Sequence, residues 1–311
     1  MAYALLFPGQ GSQFVGMGAD LFEARPDLLG PRADEFVGFS IRELCMNGPE
    51  EDLTRTEHAQ PALFALSYAL WDELTQKVPS PPAAAAGHSL GEYTALAAAG
   101  VFSYDVALSL VAERGKAMAE AADAEPSTMA AVIGGDLESL EAICAKRREE
   151  GGRLWVANVN APGQVVVAGA IGDVGWLEDN ASDLGLRRVM GLAVAGAFHT
   201  PFMAPAAQRL AAHLDRLDPA PARFPVYSNV TGRPHVPGSV AGTLVDQLVS
   251  PVRFTDCLEA MAEDGIDTFV HVGPGDVTAG LARRTRRDAT VLTVSSLADV
   301  GEVVEVLGSM Q

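Results

Sequence analysis

Five consecutive residues, Gly87-His88-Ser89-Leu90-Gly91, have the pattern that presents a serine as a nucleophile. A short apolar segment precedes them and a helical pattern follows, so the serine would lie at a tight turn between a strand and a helix. Such a turn needs a glycine on each side because its packed backbone leaves no room for a Cβ atom. The helix N-terminus would favour the negative charge that develops during acyl transfer. The alternative is an ordinary turn serine, since a chain with 31 glycines can contain this pattern by chance.

A serine nucleophile needs a general base, and histidine is the most common one. His199 is the best candidate because it follows an apolar stretch with a glycine and lies in a loop just before a predicted helix. Catalytic groups gather on loops that a rigid scaffold positions. His88 adjoins the serine, so its side chain is expected to point away from the hydroxyl. The remaining histidines are His58, His213, His235 and His271.

A single arginine interrupts an otherwise apolar helix face. Arg114 lies in line with Val106, Leu110 and Met118 at helical spacing. One interpretation is a side chain that runs along the apolar surface to reach solvent, as long basic side chains commonly do. The other is a partly buried guanidinium, whose planar fork suits a carboxylate held by two hydrogen bonds.

Composition excludes several classes of protein. The 311 residues carry a formal net charge of −18, whereas a nucleic-acid-binding protein needs a basic surface. The three cysteines are far apart and have neither a metal-ligand spacing nor a disulfide pattern, which favours a reducing compartment. No apolar run approaches the roughly 20 residues that span a bilayer. We therefore expect a cytoplasmic protein with no metal and no membrane segment, and we expect a monomer.

The order of predicted elements indicates an α/β protein with an inserted small domain. Residues 126–195 have the order strand, helix, strand, strand, helix, strand, which is that of a ferredoxin-like unit. On both sides of this insertion, strands alternate with helices as they do in a parallel sheet. We predict an α/β-hydrolase-like core formed by residues 1–125 and 196–311, with residues 126–195 as the small domain.

Two helices of the predicted core flank the serine motif. One is predicted over 61–77, where Pro61 suits a first helical turn. The other is predicted from about 104 to 121, with Ser103 available as its N-cap.

Taken together, the motifs of this chain resemble those of the malonyl-CoA:acyl carrier protein transacylases and of the acyltransferases of polyketide synthases. The resemblance covers nearly the whole chain, and the order and spacing of the motifs are far more specific than any one of them. The matching segments are Phe7-Pro8-Gly9-Gln10-Gly11-Ser12-Gln13, Gln60-Pro61, Gly87 to Glu92, Arg114-Gly115, Asn158 to Gln164, Gly196 to His199, Ser228-Asn229 and Gly273-Pro274-Gly275.

The resemblance implies a role for each catalytic residue. Ser89 would be acylated, and His199 would act as general base and then as general acid. The backbone N–H groups of Gln10 and Leu90 would form the oxyanion hole. The family orients its histidine by a main-chain carbonyl, which we expect near 251–253. This agrees with the lack of an obvious third, acidic residue in the sequence.

The resemblance also implies the substrates. A coenzyme A thioester would be the acyl donor, with no bound cofactor, and an acyl carrier protein would be the acceptor. Arg114 would bind the free carboxylate of a malonyl-type unit, and Gln60 and His88 are further candidates for substrate contact. Phe198 is similar to the residue found in malonyl-specific polyketide acyltransferases, because an aromatic ring fills the space of an α-methyl branch. Gly196 is typical of the free-standing enzymes of this kind.

Acyl carrier proteins are usually acidic, so docking on this acidic chain needs a local basic surface. Two clusters are candidates, although each could be an ordinary solvated helix face. Their residues are Arg283, Arg284, Arg286 and Arg287 in one, and Lys146, Arg147 and Arg148 in the other.

Three other functions are alternatives to malonyl transfer. An acyl-carrier-protein hydrolase would use the same serine and histidine, but such relatives tend to lack the arginine. A transacylase that moves a bulkier acyl group between two carrier proteins would need a wider pocket. A dinucleotide-binding protein is disfavoured, because the glycine at Gly16 does not have the spacing of the dinucleotide fingerprint.

Overall fold

The computed structural model describes residues 2–78 and 80–309. Its strands form two five-stranded sheets. The strands are β1 (Tyr3–Phe7), β2 (Ala84–Gly87), β3 (Ser127–Ile133), β4 (Leu154–Ala161), β5 (Gln164–Ala170), β6 (Arg188–Gly191), β7 (Val226–Tyr227), β8 (Val252–Arg253), β9 (Thr268–Val272) and β10 (Thr290–Val294).

Helices surround both sheets, and a short 3₁₀ helix, Pro201–Met203, precedes one of them. The α-helices are α1 (Leu21–Ala24), α2 (Pro26–Leu29), α3 (Pro31–Val37), α4 (Ile41–Asn47), α5 (Glu50–Thr54), α6 (Thr56–Thr75), α7 (Leu90–Ala98), α8 (Tyr104–Ala124), α9 (Leu137–Glu149), α10 (Ile171–Asp179), α11 (Ala204–Leu214), α12 (Val240–Gln247), α13 (Phe254–Glu263), α14 (Val277–Thr285) and α15 (Leu297–Ser309). None of these helices is long and apolar enough to cross a membrane.

The first sheet has the strand order β10-β9-β1-β2-β7, and every pair in it is parallel. Its central strand β1 is buried on both faces. The side chains of Leu5 and Phe7 belong to one apolar cluster, and those of Ala4 and Leu6 belong to another. Strands buried on both faces have continuous apolar sequences, which is why this segment has no alternation. The predicted α/β class with a parallel sheet is confirmed.

The parallel pairing of β1 with β2 brings two loops together. Phe7 pairs with Gly87, so the glycine-rich loop after β1 and the turn after β2 leave the sheet at the same edge. The two loops are in close contact, because a Cβ atom on Gly9 would lie 2.4 Å from the carbonyl oxygen of His88. In sheets of this kind, sites form at the carboxyl ends of the strands.

The second sheet has the strand order β6-β3-β5-β4-β8. Along the chain, the elements β3, α9, β4, β5, α10 and β6 follow one another in the expected strand, helix, strand, strand, helix, strand order of a ferredoxin-like unit. The fifth strand, β8, comes from the C-terminal core segment and pairs in parallel with β4. The predicted boundaries 126–195 therefore miss one strand of this sheet, because a two-residue strand has too short a pattern to recognise.

The two faces of the second sheet have different neighbours. Val165 and Val167 pack with α9 and α10 in a separate apolar cluster. Met129 and Val166, which point to the opposite face, belong to the main core cluster. The pocket lined by Met129 and Val166 therefore lies on the face that is turned away from α9 and α10.

Helix α6 differs from its prediction. It begins at Thr56, so Pro61 lies inside the helix rather than in its first turn. Residues 56–60 have little apolar periodicity, and their helix is stabilised by packing against α8. A Cβ atom on Gly115 would lie 3.0 Å from the carbonyl oxygen of Thr56, which shows how closely the two helices approach. The N-cap of α8 is Ser103, as predicted, and its side chain accepts a hydrogen bond from the N–H of Val106.

We expect Gly91→Ala to destabilise the protein, because the added Cβ would lie 2.2 Å from the carbonyl oxygen of Phe7. Overpacking of this kind lowers the free energy of unfolding by about 1–3 kcal/mol, measured by urea denaturation. Gly280→Ala is the matched control, because no atom lies within 4 Å of its Cβ position on α14. This control should leave stability unchanged or raise it by up to about 1 kcal/mol. Equal effects of the two substitutions would contradict the steric argument.

Candidate active site

The turn at Ser89 has a strained backbone that only its glycine neighbours allow. Ser89 has a φ of 51° and a ψ of −105°, and it joins β2 to α7. A Cβ atom on Gly87 would lie 1.8 Å from the carbonyl carbon of Gly91. The two glycines of the motif are therefore required by packing, as the sequence predicts.

Asn229 holds this turn in place. Its Oδ1 accepts the N–H of Ser89 at 2.7 Å, and its Nδ2 donates to the carbonyl oxygen of Gly87 at 2.8 Å. Ser89 is the N-cap of α7, yet its hydroxyl makes no capping hydrogen bond. The hydroxyl therefore stays available for other partners.

His199 is one of those partners. Its Nε2 lies 2.8 Å from Ser89 Oγ, and its Nδ1 lies 2.8 Å from the carbonyl oxygen of Gln247. A carbonyl only accepts, so Nδ1 carries the proton and Nε2 is free to accept the serine proton. His199 itself has a φ of 60°. The hydroxyl, the imidazole and the carbonyl thus form a continuous chain of hydrogen bonds.

The orienting carbonyl lies outside the range expected from the resemblance. It belongs to Gln247 rather than to residues 251–253. Gln247 is the last residue of α12, and the final carbonyls of a helix have no partner within the helix. His199 uses one of these free carbonyls.

Burial keeps His199 neutral. Loss of solvent, assisted by the positive charge of Arg114, lowers the pKa of His199 to about 3. Its side chain is therefore an unprotonated base at neutral pH, which the abstraction of the Ser89 proton requires.

Arg114 is fully buried on α8, so its side chain does not extend to solvent. Its Nη1 donates to Gln60 Oε1 at 2.7 Å, and its Nη2 donates to Gln247 Oε1 at 2.9 Å. Nη2 also donates to Ser89 Oγ at 3.0 Å. The guanidinium lies over the ring of Tyr93, 5.1 Å from its centre. Within residues 2–78 and 80–309, it forms no ion pair with a carboxylate.

Two backbone N–H groups next to Ser89 are free to bind an oxyanion. Gln10 and Leu90 both line the pocket that contains Ser89. In the part of the chain that the structure describes, neither N–H donates a hydrogen bond to the protein. The side chain of Gln10 is fixed by a 3.3 Å hydrogen bond from its Nε2 to Thr56 Oγ1.

The pocket around Ser89 has a volume of about 240 Å³ and lies between the core and the second sheet. The core contributes the polar residues Ser89, His199 and Arg114 described above. Apolar side chains form the opposite wall, and Phe198, which is 6% exposed, lies beside the base. These apolar residues are Met129, Val166, Leu192 and Val194, whereas Met118 lines the pocket from α8 on the core side.

His88 links the core to the second sheet. Its Nε2 lies 2.7 Å from Oδ1 of Asn160 on β4, and both residues line the pocket. Burial lowers the pKa of His88. Gln60 also lines the pocket and is 1% exposed, with its Oε1 on Arg114. The structure thus places all the candidate catalytic and substrate-contacting residues around one pocket.

The chain is similar to known proteins over nearly its whole length. Residues 4–311 match the family described as the acyl transferase domain. The chain belongs to this family. It is 39% identical to the malonyl CoA-acyl carrier protein transacylase of Bacillus subtilis over 307 residues, covering 98% of this chain and 96% of that protein. It is 40% identical to the enzyme of the same name from Haemophilus influenzae over 309 residues, covering 98% and 99% respectively.

Solved structures of acyl transferase family members share the whole fold. The malonyl-CoA:acyl carrier protein transacylase of Xanthomonas oryzae pv. oryzae has a TM-score of 0.92 and 38% identity, with 98% of this chain and 99% of that chain covered. A second structure contains a type II polyketide synthase acyl carrier protein in complex with its malonyl-transacylase. It matches with a TM-score of 0.92 and 36% identity, and the match covers 98% of this chain and 100% of that one.

The first predicted docking cluster is not near the pocket. Arg283 and Arg284 lie at the C-terminal end of α14, which runs back from the carboxyl edge of the parallel sheet to its amino edge. Arg283 Nη2 contacts the carbonyl oxygen of Val291, near the start of β10, at 3.4 Å. Arg286 pairs with Asp288. Ser89 lies at the opposite edge, so the placement of residues 283–287 does not support their predicted docking role.

The second predicted docking cluster also faces away from the pocket. Lys146, Arg147 and Arg148 lie on α9, behind the second sheet. Arg147 Nε donates to Asp173 Oδ1 at 2.8 Å, and Arg148 Nη1 donates to the carbonyl oxygen of Leu154 at 2.7 Å. The two arginines thus stabilise the small domain, a role that their sequence cannot distinguish from a docking role.

Sequence reasoning missed three polar residues that hold the catalytic groups. Asn229 occurs in the Ser228-Asn229 pair of the resemblance, and Glu92 directly follows the serine motif, so both had a signal. Gln247 had none, because a single glutamine at the end of a helix matches countless solvent-exposed positions.

The buried His199 makes the free energy of unfolding depend on pH. Its pKa is about 3 in the folded protein, against an ordinary 6.5, so the unfolded chain binds more protons between these values. The stability that this group contributes is complete above about pH 6.5 and is lost as the pH falls toward 3, by up to about 1.4 kcal/mol per pH unit. His199→Asn should therefore show a shallower loss of stability on acidification, measured by urea unfolding at a series of pH values.

The buried His271, whose pKa is lowered to about 4 by loss of solvent, acts in the same direction. It is present in both proteins, so the difference between the two slopes reports His199 alone. Identical slopes would contradict the assignment of a neutral, buried His199.

Proposed function

We propose that this protein transfers a malonyl unit from coenzyme A to the phosphopantetheine thiol of an acyl carrier protein through an acyl-enzyme at Ser89. One observation carries the proposal. Ser89 Oγ lies within hydrogen-bond distance of both His199 Nε2 and Arg114 Nη2. A nucleophile, its base and a receptor for a carboxylate therefore converge on one atom.

In the first half-reaction, His199 Nε2 accepts the hydroxyl proton while Ser89 Oγ attacks the thioester carbonyl. The resulting oxyanion accepts hydrogen bonds from the N–H groups of Gln10 and Leu90, and each such donor is worth about 10²–10³ in rate. When the intermediate collapses, the carbon–sulfur bond breaks. His199 gives its proton to the leaving coenzyme A thiolate, and the malonyl group remains on Ser89 as an ester.

In the second half-reaction, the thiol of the carrier protein enters the same cleft. His199 accepts the thiol proton, and the sulfur attacks the ester carbonyl. Collapse of the second oxyanion breaks the bond to Ser89 Oγ, and His199 returns a proton to the serine. The two substrates use the site in turn, so ping-pong kinetics are expected.

Arg114 supports a carboxylated acyl group. Its Nε is buried and has no hydrogen-bond partner in the part of the chain described. An arginine with an unused buried donor is costly unless a ligand supplies the acceptor. The malonyl carboxylate supplies two oxygens, which suit the planar guanidinium. This argues against a hydrolase of simple acyl chains, for which a buried cation has no use.

The relatives support the two substrates. Those from Bacillus subtilis and Haemophilus influenzae are named malonyl CoA-acyl carrier protein transacylases, and a related malonyl-transacylase is solved with its polyketide carrier protein. We infer that the acceptor here is likewise an acyl carrier protein of fatty acid or polyketide biosynthesis.

Phe198 supports an unbranched acyl group. Its buried ring lines the pocket beside His199. We expect this ring to fill the space that a methyl branch at the α-carbon would need. One methyl group changes binding by only about 1–3 kcal/mol, so the preference for malonyl over methylmalonyl is expected to be 10-fold to 200-fold rather than absolute.

The acyl-enzyme can be observed directly. Incubation with malonyl-CoA should produce a malonyl adduct in the intact mass of the wild-type protein and none in Ser89→Ala. Methylmalonyl-CoA and acetyl-CoA should acylate more slowly. Addition of holo carrier protein should remove the adduct and raise the mass of the carrier by one malonyl group. Release of free malonate without any transfer would instead establish a hydrolase.

Arg114→Ala should change the choice of acyl group. Loss of the guanidinium removes the partner of the malonyl carboxylate, so kcat/KM for malonyl-CoA should fall by about 10²-fold relative to that for acetyl-CoA. Arg209→Ala is a matched control. Arg209 lies on α11 and pairs with Glu113 and Glu120 of α8, the helix that carries Arg114, but it does not line the pocket. A malonyl preference that survives Arg114→Ala would exclude the proposed role of this residue.

A further inference from the structure

The carboxylate of Glu92 is fully buried directly behind the catalytic residues. Its Oε2 accepts the side-chain amide of Gln247 at 2.6 Å and the N–H of Asn229 at 3.1 Å. Its Oε1 lies 2.7 Å from His235 Nε2. Burying a carboxylate without such partners costs several kcal/mol, and the three donors here offset that cost.

The catalytic mechanism uses none of the atoms of Glu92. The residue nevertheless contacts both residues that arrange the site, through the backbone N–H of Asn229 and the side-chain amide of Gln247. Asn229 holds the N–H of Ser89, and the carbonyl of Gln247 orients His199. The side-chain Nε2 of Gln247 also donates to the carbonyl oxygen of Ser89 at 3.0 Å.

The amide of Gln247 lies between two buried charges. Its Nε2 faces the Glu92 carboxylate, and its Oε1 faces Arg114 Nη2 at 2.9 Å. The carboxylate only accepts and the guanidinium only donates, so the amide has one possible orientation. The amide therefore connects the two charges while keeping them apart.

This separation meets two opposing requirements of the buried Arg114. A buried guanidinium needs a negative charge nearby, because burial disfavours its charged form. A protein carboxylate in direct contact would, however, occupy the donors that the substrate carboxylate needs. Loss of solvent lowers the pKa of Arg114, and the charge of Glu92 is among the influences that raise it again. Glu92 thus balances the charge of Arg114 from one amide away.

We propose that Glu92 is a positioning residue for malonyl selectivity: through the Gln247 amide it neutralises and orients Arg114 while leaving the guanidinium open to the substrate carboxylate. This inference rests on the proposed malonyl transfer. It also assigns a function to Gln247 beyond that of its carbonyl, because the orientation of its side chain links the two charges.

Glu92→Gln tests the proposal because it removes the charge and preserves the shape. The new amide can accept from Gln247 and Asn229 and donate to His235, which can move its own proton to Nδ1, an atom with no partner in the described structure. The fold can therefore be retained. We expect the ratio of kcat/KM for malonyl-CoA to that for acetyl-CoA to fall about tenfold, because a neutral amide holds the Gln247 side chain, and through it Arg114, less firmly than a charged carboxylate does. A purely structural role would lower both values in parallel.

His235→Gln is the matched control. It alters a hydrogen bond to the same carboxylate but leaves its charge, so the selectivity ratio should remain that of the wild type. If Glu92→Gln alone does not fold, the double variant Glu92→Gln/His235→Gln pairs two amides at this position. It should show the same tenfold fall relative to His235→Gln.

The same measurement on the wild-type protein distinguishes a failure of the proposed malonyl transfer from a failure of the proposed role of Glu92. If it shows no preference for malonyl-CoA, the proposed function is wrong. If it shows the preference and the folded Glu92→Gln variant keeps the same ratio, the role of Glu92 is wrong. A tenfold fall in Glu92→Gln with no fall in His235→Gln supports the proposal.

Discussion

The strained turn at Ser89 is the constraint on which the site depends. A non-glycine residue with positive φ costs about 1–3 kcal/mol and persists only where its surroundings determine it. Here the turn is held by the close packing of Gly91 against the Phe7 backbone and by the hydrogen bond from the Ser89 N–H to Asn229. The strain turns the hydroxyl away from the capping position that an N-cap serine normally takes. Among residues 2–78 and 80–309, the same backbone leaves the N–H of Leu90 without a partner and next to the nucleophile, where an oxyanion would form.

The end of α12 organises the other catalytic groups around this turn. The main chain of Gln247 orients His199, and its side chain connects Arg114 to the buried carboxylate of Glu92. Such a network is expensive if it is incomplete, because each unpaired buried polar group loses its hydration without compensation. Here the Gln247 amide pairs with both Glu92 and Arg114, which explains how one neutral base and one buried cation coexist within hydrogen-bond distance of Ser89.

The two sheets contribute differently to the site. The parallel sheet supplies the catalytic groups, since β1 and β2 deliver the two loops that meet at its carboxyl edge. The second sheet supplies the apolar wall of the pocket and Asn160, which bonds His88. This division explains why the chemistry depends on the core, whereas the size of the acyl group is limited jointly by Phe198 and the second sheet.

The local features of this protein follow from the amino-acid sequence alone. The glycines around Ser89, the apolar runs of the parallel strands and the cap at Ser103 are decided by neighbours a few residues away. Which distant groups complete the site depends on the folded chain as a whole. Ser89 and His199 are 110 positions apart, and Ser89 and Gln247 are 158 apart, so their contacts leave no local pattern. The start of α6 and the strand β8 were decided in the same way, by packing and pairing with segments far along the chain.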